Sequence, residues 1–336
     1  MNLDEATCIF GAGVLINHHQ ALAGEIEAVR TGGEDIDPVH DARVASRRLR
    51  ATLPLFNPCL PAKKGKTWLK RIRKVTRALG EARDTDVQLE WLGKIYINLP
   101  EPRYKPGVHR LVLRLRQKRD RLQPPLTRAM EKLVESAILD AMGAHLEPLA
   151  ARALDTYVYT PVLYKHSFQA ISGRLETFLS YNDIVYQPEK VTELHQMRIA
   201  AKWLRYTMET FAPLYADQLK PHLLAVKAAQ ERLGDIHDCD VWLSFLPQFL
   251  EEERQRTQEY YGHERPFHRM VAGIQYLCQE RKNDRDELYE KFVGEWKEWM
   301  ARDLWMSLRR TIQVPFLQPG SIYPPLATGP NPQSPA

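Results

Sequence analysis

No stretch of the 336 residues comes near eighteen uninterrupted apolar positions, so the sequence offers no transmembrane helix. The opening segment, MNLDEATCIFGAGVL, holds two acids and lacks a basic n-region, unlike a secretory leader. Cysteine is scarce: Cys8, Cys59, Cys239 and Cys278 stand far apart, with no CxxC pair and no zinc spacing. A reducing, cytoplasmic setting is the resulting expectation. No Walker loop, GxSxG, HExxH or acid-rich ligand string is present, so no motif indicates an enzyme, a metal or a cofactor. No run of four to eight residues reads as a strand.

What is present has the balance of a folded protein, 44% hydrophobic and 26% charged residues. The length suffices for two cores of ordinary size or one large one. The net charge of +5 conceals an asymmetry. Between Val39 and Arg121 there are 22 lysines and arginines against 7 acids, a local net of +15 that leaves −10 for the remainder. Such a distribution points either to an acidic partner or to a solvated basic surface. Position on the helix has to decide between them.

Helical periodicity covers nearly every long segment. The spacing predicts helices over 12–30, 38–53, 63–80, 84–97, 106–122 and 124–147, then 161–181, 193–211, 217–233, 238–255, 264–285 and 286–312. From Pro315 the chain carries 7 prolines in 22 residues and almost no charge, so 313–336 reads as a disordered tail.

The two helix sets are related by an internal repeat. VHDARVASRRLRATLPLF (39–56) aligns without gaps on LHQMRIAAKWLRYTMETF (194–211). His40 pairs with His195, Arg43 with Arg198, Arg47 with Lys202 and Arg50 with Arg205. Asp37 and Thr192 each stand three residues before a histidine and read as N-caps. Downstream, LGEARDTDV (79–87) matches LGDIHDCDV (233–241). Leu-Gly there reads as a helix end with glycine in the left-handed position, and Asp84 and Asp238 as caps of the next helix. The chain is thus expected to be all-α, a first half over 1–150 and a second over 151–312, each containing a helix–turn–helix hairpin.

At 100° per residue, His40, Arg43, Arg47 and Arg50 fall within an arc of about 80°. Ala42, Ala45, Leu49, Leu53 and Phe56 form a separate core face. The second copy repeats the plan with His195, Arg198, Lys202 and Arg205 opposite Met197, Leu204, Met208 and Phe211. A solvated face normally interleaves both signs, because like charges one turn apart repel. The first stripe contains no acid, and the second only Glu209, within reach of Arg205 or Lys202. Each histidine also lies close to a helix N-terminus, where the helix dipole favours anions. The pattern reads as an anion groove roughly 15 Å long, from a rise of 1.5 Å per residue. Bracing of the bundle by buried Arg–Asp networks is the alternative. The next helix adds Lys66, Lys70, Arg73 and Arg77 within about 60° of arc. Its counterpart keeps Lys227 opposite Arg73 but has Leu224 and Glu231 opposite Lys70 and Arg77, so the first half should carry most of the positive surface. Arg110, Arg114 and Lys118 follow at i, i+4, i+8 and read as a solvated row.

On VHDARVASRRLRATLPLF, LHQMRIAAKWLRYTMETF and the two LG…D.DV segments, the chain resembles the CHAD family, the conserved histidine α-helical domain, over roughly residues 12–312. The resemblance implies two pseudo-symmetric four-helix-type bundle halves enclosing a basic groove or channel. It also implies binding of inorganic polyphosphate and association with polyphosphate granules. Carried onto this sequence, the contacts are His40, Arg43, Arg47, Arg50, His195, Arg198, Lys202 and Arg205, with Lys70, Arg73, Arg77, Arg83 and Lys227 as secondary ones. His237 stands where the first half has Arg83. Related domains are often fused to a triphosphate tunnel metalloenzyme whose ExExK signature is absent here, since Glu25-Ile-Glu27 is followed by Ala-Val. The chain resembles the stand-alone form, without catalytic residues or cofactor.

Three rival readings use the same residues. His40-Asp41 and His237-Asp238 suggest an HD-type metal-dependent phosphohydrolase, although adjacent helical residues diverge by about 100° and arginines would repel the metal. An RNA or DNA phosphate backbone would suit the stripes, but the first has no aromatic in its arc and the second only Tyr206 at its border. A scaffold that docks acidic proteins is the third.

Overall fold

The computed structural model of the protein describes residues 3–32, 37–154 and 159–317. Among them every element is helical: α1 (Glu5–Thr31), α2 (Asp37–Thr52), α3 (Ala62–Ile97), α4 (Lys105–Glu135), α5 (Ile138–Ala151), α6 (Pro161–Leu179), α7 (Val191–Phe211), α8 (Lys220–Tyr261), α9 (Arg265–Ala301) and α10 (Leu304–Leu317), with short 3-10 turns between some of them. Local chemistry sets several ends. Asp4 accepts the Thr7 N–H to start α1, Gly32 at φ 70° stops it, and Thr160 with Pro161 opens α6.

The two expected hairpins are instead continuous helices. α3 runs 36 residues through Gly80 and Asp84, and α8 runs 42 through Gly234 and Asp238. Neither glycine is left-handed; among the described residues the positive-φ glycines are Gly32 and Gly262. The repeated motif has a different physical basis. A Cβ on Gly80 would lie 3.8 Å from Nε of Arg43, and one on Gly234 would lie 3.5 Å from Nε of Arg198. Each glycine is therefore the surface against which a stripe arginine lies. Asp84, one turn on, pairs with Arg43 at 2.9 Å and so is no cap. The second acid of each D.D motif reaches the other way. Asp86 on α3 binds Arg119 of α4 at 2.7 Å, and Asp240 on α8 binds Arg285 of α9 at 2.5 Å. One short motif thus faces a stripe on one side and clamps a neighbouring helix on the other.

Other boundaries move for similar reasons. α7 starts at Val191, so Thr192 lies inside it and Lys190 precedes it without a side-chain cap. The cap expected at Asp37 falls at the edge of the described residues, where α2 as described opens. His195 accordingly stands two residues deeper in its helix than the capping pattern predicts. α4 continues through Pro124 and Pro125 to Glu135. α10 extends to Leu317, five residues into the expected tail, and the rest of that tail lies outside the described residues.

Burial follows the predicted apolar faces. Ala42, Ala45, Leu49, Leu53 and Phe56 are buried with Met197, Leu204, Met208 and Phe211 in one large core fed by both halves. A second cluster lies at the far ends of the long helices. Leu92 of α3 and Val108, Leu111 and Leu115 of α4 pack there with Trp242, Leu246 and Phe249 of α8 and Ile274 and Leu277 of α9. α4 and α9 meet at Gly107 and Gly273, where a Cβ on either would overlap a backbone carbonyl oxygen, Met270 or Tyr104 respectively. The row Arg110, Arg114 does not simply point to solvent: Arg114 binds the buried Glu253 at 2.6 Å, and Arg110 approaches it at 3.8 Å.

Cys8 and Cys59, 51 residues apart, form a disulfide between α1 and the turn before α3. Their spacing gave no sign of it, and the argument for a reducing compartment loses its premise. No helix of the described residues is long and apolar enough to cross a membrane.

Candidate anion-binding site

α2 packs on α3, α7 packs on α8, and α2 and α7 pack on each other. Because both stripes lie on the sides of their helices away from the core residues, this last contact brings cation against cation. Arg43 stands within electrostatic reach of Arg47 and Arg198, and Arg198 in turn of Arg47. Lys202 sits among Arg47, Arg198, Arg50 and Arg43; burial, and then those four charges, push its ammonium down to about 7. Arg73 of α3 reaches the same cluster through Arg50. Lys70 and Arg77 flank Arg73 one turn to either side, both exposed.

Two aromatic rings from α7 separate some of these charges. The Arg47 guanidinium lies over Tyr206 at 5.8 Å, and Arg50 and Arg174 lie over Trp203 at 5.5 and 5.4 Å. Carboxylates are few. Arg43 has Asp84, Arg205 has Glu209 at 2.7 Å, and Asp238 stands against Arg198, partial loss of water raising its carboxyl. Among the described residues Arg47, Arg50, Arg198 and Lys202 have no carboxylate within 4.0 Å. Bracing between helices at the stripes is limited to the pair of Arg43 with the exposed Asp84, since Arg205 and Glu209 share one helix, and Arg47, Arg50 and Lys202 are left without an ion pair.

The histidines occupy the ends of the stripes. Arg83 Nε donates to Nδ1 of His40 at 3.4 Å, and Arg83 Nη1 is buried without a partner. In the second half the rings of His195 and His237 lie against each other, tilted by 35°, with centroids 4.0 Å apart. Burial, followed by His195 and Arg198, pushes His237 down to about 4, where the first half has the Arg83 guanidinium. Beside them opens a cavity of about 770 Å³ between α3, α8 and α9, reached by Arg43, Asp84, His195, Arg198, His237 and Asp238.

A family model described as the CHAD domain matches residues 13–247, well over half of the chain. The chain belongs to the CHAD domain family. Among solved structures, the CHAD domain from the plant Ricinus communis has a similar fold, with a TM-score of 0.63 and 22% identity, covering 88% of this chain and 93% of that one. PptA from Streptomyces chartreusis is similar at a TM-score of 0.55 and 17% identity, over 86% of this chain and 98% of its own. No curated protein matches the sequence.

In this CHAD domain the structure gathers His40, Arg43, Arg47, Arg50, Arg73 and Arg83 from the first half with His195, Arg198 and Lys202 from the second. Arg205 turns toward Glu209, and with Lys227 it lines a separate shallow groove near Lys220. Lys227 itself approaches Glu231 at 3.8 Å. Sequence reasoning missed Arg174, Trp203 as a cation platform, and the pairing role of Asp84. Arg174 is a single arginine on α6 with no periodic company. Only the packing of α6 on α7 brings it to Trp203.

Proposed function

We propose that this CHAD domain binds inorganic polyphosphate along the basic groove formed by α2, α7 and the facing side of α3, and acts by binding without catalysis. The observation that carries the reading is the cluster of Arg47, Arg50 and Lys202, three cations from two helices with no carboxylate within 4.0 Å, beside Arg198, whose nearest acid Asp238 stands beyond that distance. Uncompensated charge at that density costs stability unless an anion neutralises it, and a phosphate chain supplies one charge after another at close intervals. Trp203 and Tyr206 already carry guanidinium groups, which favours a ligand without bases to stack. Of the histidines of the HD dipeptides, His40 is engaged by Arg83 and His237 lies against His195, an arrangement that favours the anion reading over a metal-dependent hydrolase. Association with polyphosphate granules would follow from such binding.

The test is a parallel titration with long-chain polyphosphate, short phosphates and single-stranded RNA at several salt concentrations. Polyphosphate should bind most tightly, with log affinity falling linearly against log salt as counterions are released. Arg50→Glu and Lys202→Glu should each weaken binding by roughly 1.5–3 kcal/mol, the value of a charge-assisted hydrogen bond, while the protein stays folded. Affinity indifferent to salt between about 50 and 200 mM would sink the reading. So would RNA binding equal to polyphosphate, or sustained phosphate release abolished by His40→Ala.

A further inference from the structure

α3 presents a second set of cations that the stripes do not use. Arg71 and Lys74 are each one residue, about 100°, further round the helix than Lys70 and Arg73, and so face α4. There they meet Arg128 and Lys132, one turn apart on α4, across a groove of about 600 Å³. Its floor is apolar, formed by the buried side chains of Val75 and Leu133. Some cations on these two helices have carboxylate partners, as in Lys94–Glu90 at 2.8 Å, Arg119–Asp86 at 2.7 Å and Arg114–Glu253 at 2.6 Å, but single exposed ones such as Lys64 and Arg116 do not face a second pair across a groove. Among the described residues none of the four groove cations has a carboxylate within 4.0 Å. One acid, Glu135, lies at the end of the groove, leaving a net lining charge of +3.

We propose that this groove is a second anion site, separate from the stripe cluster, that takes a short phosphate-rich anion such as an oligophosphate. The lining chemistry selects that class. Arg71 and Arg128 offer planar forks that match phosphate oxygens two at a time, and Lys74 and Lys132 add mobile point charges. Two facing pairs of cations suit a ligand with at least three negative charges on adjacent groups, which a single carboxylate or inorganic phosphate does not provide. No aromatic ring lines the groove, so nothing there would hold a nucleobase. The site does not depend on polyphosphate binding at the stripes, because Arg71 and Lys74 point to another side of α3 and Arg128 and Lys132 belong to α4.

Tripolyphosphate titrated into the full chain by calorimetry tests the proposal, with three double variants in parallel. Arg71→Glu/Arg128→Glu should abolish one molar equivalent of binding, or weaken it at least about tenfold. Arg116→Glu/Lys118→Glu makes the same change in net charge at exposed positions of α4 outside the groove and should leave that equivalent within about twofold. Arg47→Glu/Arg50→Glu should also leave it, even if long-chain polyphosphate binding at the stripes is lost or was never present. Arg71→Gln/Arg128→Gln serves if the glutamates lower the melting temperature. Equal losses in the groove variant and its charge-matched control would overturn the proposal in favour of a diffuse field. Unchanged tripolyphosphate binding in the groove variant would overturn it outright.

Discussion

Asp84 on α3 pairs with Arg43 on α2 at 2.9 Å, and in doing so occupies the one stripe arginine that lies over Gly80. The carboxylate is 68% exposed, so the pair contributes little to stability. It competes directly with any anion for the same guanidinium. Asp84→Asn should therefore tighten polyphosphate binding severalfold while changing stability by about 1 kcal/mol or less. Two residues on, Asp86 is 5% exposed in its pair with Arg119. Removing one partner of such a pair leaves a charge stranded, so Asp86→Asn should cost about 3–5 kcal/mol and leave affinity unchanged. Denaturant unfolding and titration of the two variants check both halves of the contrast.

Lys202 should make polyphosphate binding depend on pH. With its ammonium held near 7 in the folded protein against an ordinary value of 10.5, the unfolded chain carries a proton that the folded one releases between those limits. Stability from this group therefore rises with pH across that window, and the deficit is fully present below it. An anion at the cluster favours the charged form, so binding above pH 7 should take up a proton and weaken as pH rises. Calorimetry in buffers of different ionisation enthalpy measures the uptake. Lys202→Met should remove it, and should stabilise the free protein most at acid pH.

The Cys8–Cys59 disulfide closes a loop of about fifty residues that contains all of α2. By the loop-entropy rule its reduction should cost about 4 kcal/mol at most. The double variant Cys8→Ser/Cys59→Ser should melt where the reduced protein melts. Its affinity for polyphosphate should be unaltered at temperatures where it is folded, because neither cysteine lies on α2, α3 or α7. A melting temperature insensitive to reductant would show that the bond contributes nothing.

Helical glycines in this fold divide into two kinds. Gly80 has open space except for the Arg43 guanidinium at an ordinary contact distance, so Gly80→Ala should stabilise α3 by up to about 1 kcal/mol. Gly107 and Gly273 sit where α4 and α9 touch backbone to backbone. Alanine at either should force the helices apart and cost about 1–3 kcal/mol. Thermal melts of the three variants rank them.

The stripes were legible because their information is local: four side chains at helical spacing declare a face without reference to anything else. The apolar faces of α2, α3 and α7 were legible for the same reason. Gly80 and Gly234 were not, because a glycine that ends a helix and one that admits an arginine look identical in sequence. Only Arg43 and Arg198, thirty-seven and thirty-six residues upstream, tell them apart. Asp84 and Asp86 likewise take their roles from different helices, so their spacing could suggest a cap and no more. Arg174, the groove between α3 and α4, and the Cys8–Cys59 bond all depend on which helices become neighbours, a property that repeats and periodicity do not encode.

The cluster at the far ends of the long helices has a consequence for how the repeat can be handled. Leu92, Val108, Leu111 and Leu115 come from before α5, and Trp242, Leu246, Phe249, Ile274 and Leu277 from after α6. Neither group has enough apolar surface of its own to close around. A break in the chain between α5 and α6 would give fragments that each expose half of an interior, and such fragments reassemble or precipitate. Although the two stripes repeat in sequence, a cut between α5 and α6 should leave neither fragment able to fold alone.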